Sequence, residues 1–296
     1  MVEAQQASEA DLLGRAMNTR SITNRLAAIA TALAAIAAGA GLLIPGLYRD
    51  ASYWVQQARG TDLATLLVAV PVLGFGLWAA RRGSAAGQLA VVAGLLYLVY
   101  NYGIFAFSVA MNPLTAVHIA ILGLAIWSLI LATRSVAVTE AGTTVAEGLN
   151  RRASGVFLVA VAALFGLLWI GQIGTATTTG SLSPDLVRAG LSTNPVYALD
   201  LAFFLPLCAV AGVGLLRRNG AAAFALPMLI WVALMGAGIV GGFVFSAAAG
   251  DEIPVVVAAV ISALSFGSAA LAVVAIARRA AGHVNIGGRR PAHQGG

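Results

Sequence analysis

Asp200, Asp62 and His118 stand in stretches of this 296-residue chain that are otherwise almost free of charge. Tyr97, Tyr100 and Asn101, in the segment YLVYNYGIF, together with Gln172 and Tyr197, are the other strongly polar side chains in comparably apolar surroundings. A carboxylate, an imidazole and several phenols could hold a polar or charged group, pass on a proton, or serve as a general acid and base. Ionisable groups in such stretches are costly, and where they occur they commonly mark ligand or ion sites. These eight residues are therefore the candidate ligand-contacting set, with Arg59 and Arg188 as the expected counter-charges of the two acids. Each has a competing structural reading: a Tyr or Asn on an apolar helix is often a helix-to-helix hydrogen bond worth ~0.6 kcal/mol.

The elements that must position them are apolar runs at roughly 26–47, 62–80, 87–109, 113–133, 155–174, 195–216, 221–248 and 254–277. Each supplies the ~20 residues a helix needs to cross a hydrocarbon core. With 60% hydrophobic and only 9% charged residues, the chain does not read as a soluble domain. The expected fold is an all-α transmembrane bundle of eight helices. All 17 basic residues are arginines, and 14 of them fall in alternate gaps between the runs, leaving Arg49, Arg59 and Arg188 in the others. By the positive-inside rule both termini are then cytoplasmic, in a cell (inner) membrane. The same pattern accounts for the net charge of +6 without nucleic acid, because the arginines form no patch with interleaved aromatics.

A signal peptide ending at Ala38-Gly39-Ala40 is a competing reading of the first run. The apolar stretch continues through Leu42, Leu43 and Ile44, which favours an uncleaved helix.

Residues 62–83 (DLATLLVAVPVLGFGLWAARRG) align with 200–220 (DLAFFLPLCAVAGVGLLRRNG), Asp62 falling on Asp200 and Arg81-Arg82 on Arg217-Arg218. This suggests two parallel four-helix repeats. The expected organisation is a cytoplasmic segment 1–25, a first half 26–133, a cytoplasmic linker 134–153, a second half 154–279 and a disordered tail 280–296. Ser8 suggests a cap for a short N-terminal helix. Short interfacial helices are expected in the outer loops 48–61 and 175–194, the second opened by Ser183-Pro184. Asn194 caps the sixth helix and places Asp200 ~7–8 Å into it. Asp62 is expected near a helix N-terminus. Pro71, Pro206 and Pro227 should kink their helices, and Gly238 with Gly242 reads as a close-packing pair.

By this topology all eight candidates fall in the outer half of the bilayer. Tyr97, Tyr100 and Asn101 share one helix face, while Tyr102 points to the lipid interface. The set predicts a single cavity, open outward and closed below by Ala, Gly, Leu and Val. No HExxH, GxSxG, paired haem histidines or carboxylate-rich metal set occurs. His283 and His293 in the tail read as solvated, and the lone Cys208 as packing. No metal or cofactor is expected. The absence of Lys excludes Schiff-base chemistry.

The stretch GLYRDASYWVQQARGTDLATLLVAVPVL, with NYGIFAFSVAMNPL and NPVYALDLAFFLPL, resembles a family of polytopic bacterial membrane proteins. The similarity covers most of residues 40–220 and implies a bacterial inner-membrane protein, with no activity and no catalytic residue to carry over. Three functions remain open: binding of a small molecule or lipid headgroup in an outward cavity, a structural subunit of a membrane complex with partners unknown, or an enzyme acting on lipid at the outer leaflet.

Overall fold

In the computed structural model, residues 2–134 and 136–287 are described, with side chains from 19 to 134 and 140 to 280. All regular structure among them is helical. α1 spans Val2–Leu43, α2 Ser52–Ala64, α3 Val70–Arg81, α4 Ala85–Ser108, α5 Thr115–Thr133 and α6 Val136–Ala146. α7 spans Arg151–Thr179, α8 Pro184–Ala189, α9 Pro195–Leu199, α10 Leu205–Arg217, α11 Ala225–Ala248 and α12 Val255–Gly287. Eight helices among the described residues are long and apolar enough to cross a membrane. Two are composite: α2 continues into α3, and α9 into α10, each through one wide π turn, at Thr65–Ala69 and Asp200–Phe204.

The π turns have a local cause. Pro71 and Pro206 have no N–H to donate, so an unbroken α ladder would lose a hydrogen bond at each. The ladder instead widens just before them: Val70 N–H reaches the Thr65 carbonyl and Leu205 N–H reaches the Asp200 carbonyl, five residues back in both cases. Pro227 behaves differently. It lies in the first turn of α11, directly after the 3-10 turn Gly220–Phe224, where a proline is tolerated.

The loops gather at two ends. At one, Arg20 donates to the Ala80 carbonyl, and Arg279 donates to the Thr144 carbonyl. At the other, Trp54 Nε1 donates to the Ser108 carbonyl at 3.1 Å, Asp50 accepts from Ala110 N at 2.9 Å, and Arg188 pairs with Asp251 at 3.2 Å. The second end carries six acids (Asp50, Asp62, Asp185, Asp200, Asp251 and Glu252) against three arginines. It is the acidic end, and the first is the arginine-rich end.

Ala27, Ala30, Ala34 and Ala37 are 0–1% exposed and lie at three- and four-residue spacing, so α1 presents one smooth face to the bundle. Along that face α1 packs closely on α5, and α4 on both α3 and α5, closing the first four spans around α4. The second four spans do not close. α7 packs on α10, and α12 on α11, but α7 and α12 scarcely touch each other. A crevice between them is the consequence.

The two sets join mainly where α2 crosses α11. Gly60 meets the backbone of Gly241 and Gly242 so closely that a methyl group at position 60 would overlap it. Ser246 donates to Gln56 Oε1 at 2.9 Å and accepts from Gln57 Nε2 at 3.4 Å. Small residues that let backbones approach, backed by a few hydrogen bonds, are how helices adhere in lipid. Gly238 and Gly242 lie on this seam.

Several expectations change. Residues 52–61 are the first turns of the second span, because the polar run SYWVQQARGT continues without a break into α2. The linker 134–153 contains α6, whose Ala141, Val145 and Ala146 are buried. α1 runs through Ser8 without interruption, and α12 continues to Gly287, so the start of the expected disordered tail is helical. The remainder of that tail, with His293, lies outside the described residues, as does the His283 side chain. α8 does form, with Ser183 accepting from Leu186 N and Pro184 in its first turn.

Candidate functional site

α4 is the most enclosed span, and its polar residues radiate from it in several directions. Tyr97, 1% exposed, shares a 2.8 Å hydrogen bond with the Thr65 hydroxyl and donates to the Thr61 carbonyl at 3.3 Å. Tyr102 donates to the Ala34 carbonyl of α1 at 3.3 Å and is 1% exposed, so it faces protein and not the lipid interface. Tyr100 points the other way, edge-on to Phe204 at 5.0 Å and to Trp231 at 5.6 Å. Asn101 spends its amide on the Tyr97 carbonyl, 3.0 Å, and on Met235 Sδ, 3.5 Å.

The expected single cavity therefore divides into two clusters. The first surrounds Asp62. Its carboxylate is 2% exposed and accepts a 2.6 Å hydrogen bond from the Tyr48 hydroxyl, with Gly41 giving the room: a methyl group there would overlap both partners. Burial, and then the Asp62 carboxylate beside it, push the Tyr48 phenol well above its ordinary range, so it remains the donor. Asp62 is the eleventh residue of α2 and so lies well inside a helix, not at its N-terminus. Arg59 does not pair with it. That guanidinium donates to the Leu42 carbonyl at 3.4 Å and covers the Phe245 ring at 4.7 Å. His118, 1% exposed, belongs to the same half, packed on Phe105 at 4.9 Å and on Tyr102 at 5.7 Å.

The second cluster surrounds Asp200, which is 7% exposed. Asn194 caps α9, accepting from Val196 N at 2.9 Å, and fixes how far into the span Asp200 stands. The Trp169 indole N–H of α7 donates to the carboxylate at 2.7 Å, and the Tyr100 hydroxyl lies close to it from α4. Trp169 in turn packs on Tyr197 at 4.9 Å, whose hydroxyl donates to Gln172 Oε1. Arg188 is engaged elsewhere, paired with Asp251 and lying 4.6 Å over the Tyr53 ring. Neither expected counter-charge forms an ion pair with its acid, although the Arg59 charge is near enough to act on Asp62.

Asp200 borders a half-enclosed cavity of about 90 Å³, the crevice left between α7 and α12. Tyr100, Trp169 and Trp231 line it with Asp200, as do the apolar Phe165, Met235, Ile239 and Ile261. Trp231 stacks on Phe204 at 4.8 Å, and its buried indole N–H has no acceptor. Leaving such a donor unsatisfied costs about 1–3 kcal/mol. Ser265 contributes little polarity, because its hydroxyl donates to the Ala233 carbonyl at 2.9 Å. The space is several times the ~10–15 Å³ that one water requires on this measure.

Of the eight candidates, Asp200 and Tyr100 line the cavity, with Tyr197 and Gln172 behind Trp169. Asp62, Tyr97, Asn101 and His118 lie elsewhere. Trp169, Trp231 and Tyr48 are not among the eight sequence candidates. Trp169 had one usable signal, its place one helical turn before Gln172 on the same span.

Fold and composition together define a multi-pass helical membrane protein. No family model, no curated protein and no solved structure matches the chain.

Proposed function

We propose that this protein is a bacterial inner-membrane protein that binds a small molecule or lipid headgroup in the crevice beside Asp200. The observation that carries this reading is an acid at the edge of an otherwise apolar cavity, with neutral donors only. A carboxylate at the centre of a bilayer costs about 2.5–3.5 kcal/mol on insertion scales, and less toward the surface, but still some, at the depth of Asp200. Retaining one against an accessible cavity is better explained by a ligand than by packing, which a leucine would serve. The gap between α7 and α12 gives that ligand a lateral route from the bilayer. On the arginine bias the acidic end lies outside, which puts Asp200 in the outer half of the bilayer.

Native mass spectrometry on the full-length protein, released from membrane-mimetic discs, tests this. A bound small molecule or lipid that is retained by the wild type and lost on filling the crevice with Ile239→Trp is expected. Equal retention by both would overturn the reading.

A structural-subunit reading also has an observation behind it. α7 and α12 expose broad apolar surfaces, including Leu167, Ile170, Val256 and Phe266, that a neighbouring subunit could cover as well as lipid. Ligand-free protein that associates through these faces would favour it.

A further inference from the structure

Building on the crevice as a ligand site, we infer that its ligand is an organic cation: a quaternary or alkyl-substituted ammonium group held beside Asp200 and among aromatic rings.

The charge is the first argument. The Asp200 carboxylate receives the Trp169 indole N–H at 2.7 Å and lies near the Tyr100 hydroxyl, both neutral donors. Of the arginines at that end, Arg188 is engaged with Asp251 and Arg59 with the Leu42 carbonyl. Among the described residues, no cation pairs with Asp200. A buried carboxylate hydrogen-bonded only by neutral groups still attracts a positive charge strongly, because little water is present to screen it.

The rings are the second argument. Tyr100, Trp169 and Trp231 all border the cavity, with Phe165 beyond them. Tyr100 and Trp231 meet edge-on at 63°, so their faces turn toward different sides of one corner. Aromatic faces carry negative potential, and several rings around one acid form the kind of site that recognises quaternary ammonium groups.

Other ligand classes fit less well. An anion would meet both the carboxylate and the ring faces. A sugar would need many hydrogen-bonding partners, whereas most of this lining is apolar and the Ser265 hydroxyl is already spent. A hard metal ion takes six or more oxygens, and no group of three metal-binding side chains occurs among the described residues. A weakly hydrated organic cation needs only what is present. Its alkyl part would lie along Met235, Ile239 and Ile261 toward the α7–α12 gap. An acceptor oxygen close to the cation would satisfy the unpaired Trp231 N–H.

The test uses full-length protein in discs of an uncharged diglucosyl diacylglycerol, which supplies neither an ammonium headgroup nor a surface charge that would itself concentrate the cation. Tryptophan fluorescence would be titrated with octyltrimethylammonium, with its uncharged isostere in which carbon replaces nitrogen, and with octyl sulfonate. The wild type is expected to bind the cation at least ten-fold more tightly than the isostere, and the sulfonate most weakly. Asp200→Asn should abolish that preference while keeping isostere binding, and Asp200→Glu should restore part of it. Equal affinity for cation and isostere in the wild type, or tighter binding of the sulfonate, would overturn the inference and leave the crevice reading intact. Failure of all three probes to bind would remove the crevice reading itself. Because the deciding comparison is made on the wild type, a misfolded Asp200→Asn does not blunt it. Competition by tetraethylammonium would indicate a free solute, and competition by phosphatidylcholine or phosphatidylethanolamine added to the discs a lipid headgroup; either result supports an ammonium ligand.

Discussion

The Tyr48 hydroxyl donates to the Asp62 carboxylate at 2.6 Å, and Gly41 leaves the space in which they meet. The contact ties the loop after α1 to the second span and gives a nearly fully buried acid its hydrogen bond. Tyr48→Phe removes the donor and keeps the ring, which packs on Phe105 at 5.9 Å. Leaving the buried Asp62 acceptor without its donor costs about 1–3 kcal/mol. Thermal unfolding in detergent should show a clear loss for Tyr48→Phe. The loss should be much smaller for Thr65→Val, which breaks a neutral pair of the kind worth ~0.6 kcal/mol in membranes. Equal losses would mean that Asp62 is not held by Tyr48.

Gly60 and Gly242 set the spacing of the seam between the two sets of four spans. A methyl group on Gly60 would overlap the Gly242 backbone, which cannot swing aside as a side-chain tip can. Gly60→Ala is expected to lose at least the 1–3 kcal/mol typical of overpacking, seen as a lower melting temperature and a smaller monodisperse fraction on size exclusion. Gly39→Ala is the control, because a methyl there meets nothing within 4 Å. A Gly60→Ala protein as stable as Gly39→Ala would show that the seam is looser than its geometry.

The spans were legible because length and apolarity are local properties: each run 26–47 through 254–277 falls on one membrane-length helix. The Asn194 and Ser183 caps were legible for the same reason. The partners of the polar residues were not. Helical spacing put Tyr97, Tyr100 and Asn101 on one face, but α4 is surrounded, so neighbouring directions on it meet different helices. A largely enclosed helix has little lipid side, and Tyr102 is buried where a peripheral helix would have exposed it. The start of α2 was missed because SYWVQQARGT is polar, and its continuation into the span shows only in tertiary packing. The four-helix repeat reading rests on sequence, and the closed first set and open second set of spans pack differently.

The orientation proposed above can be read with single cysteines. Cys208 is fully buried, so Cys208→Ala gives a background without reactive thiol at little cost. Ser192 lies in the exposed loop between α8 and α9 at the acidic end, and Glu147 is exposed between α6 and α7 at the arginine-rich end. A membrane-impermeant maleimide added to intact cells should label Ser192→Cys and spare Glu147→Cys until the cells are broken. The reverse pattern would invert the protein in the membrane and put Asp200 in the inner half of the bilayer.

His118 is the residue on which the two clusters can be told apart. Its ring is 1% exposed, it packs against Phe105 and Tyr102, and its Nδ1 has no hydrogen-bond partner. It does not border the crevice. An unsatisfied buried nitrogen costs about 1–3 kcal/mol, so an apolar residue of similar bulk removes a penalty while keeping most of the packing. His118→Leu is therefore expected to unfold at the wild-type temperature or above it. The same variant should retain octyltrimethylammonium binding within two-fold, whereas Asp200→Asn should not retain its cation preference. A folded His118→Leu protein that loses ligand would mean that the Asp62 half and the Asp200 half act on one site through α4, the span that Tyr102 and Tyr100 share.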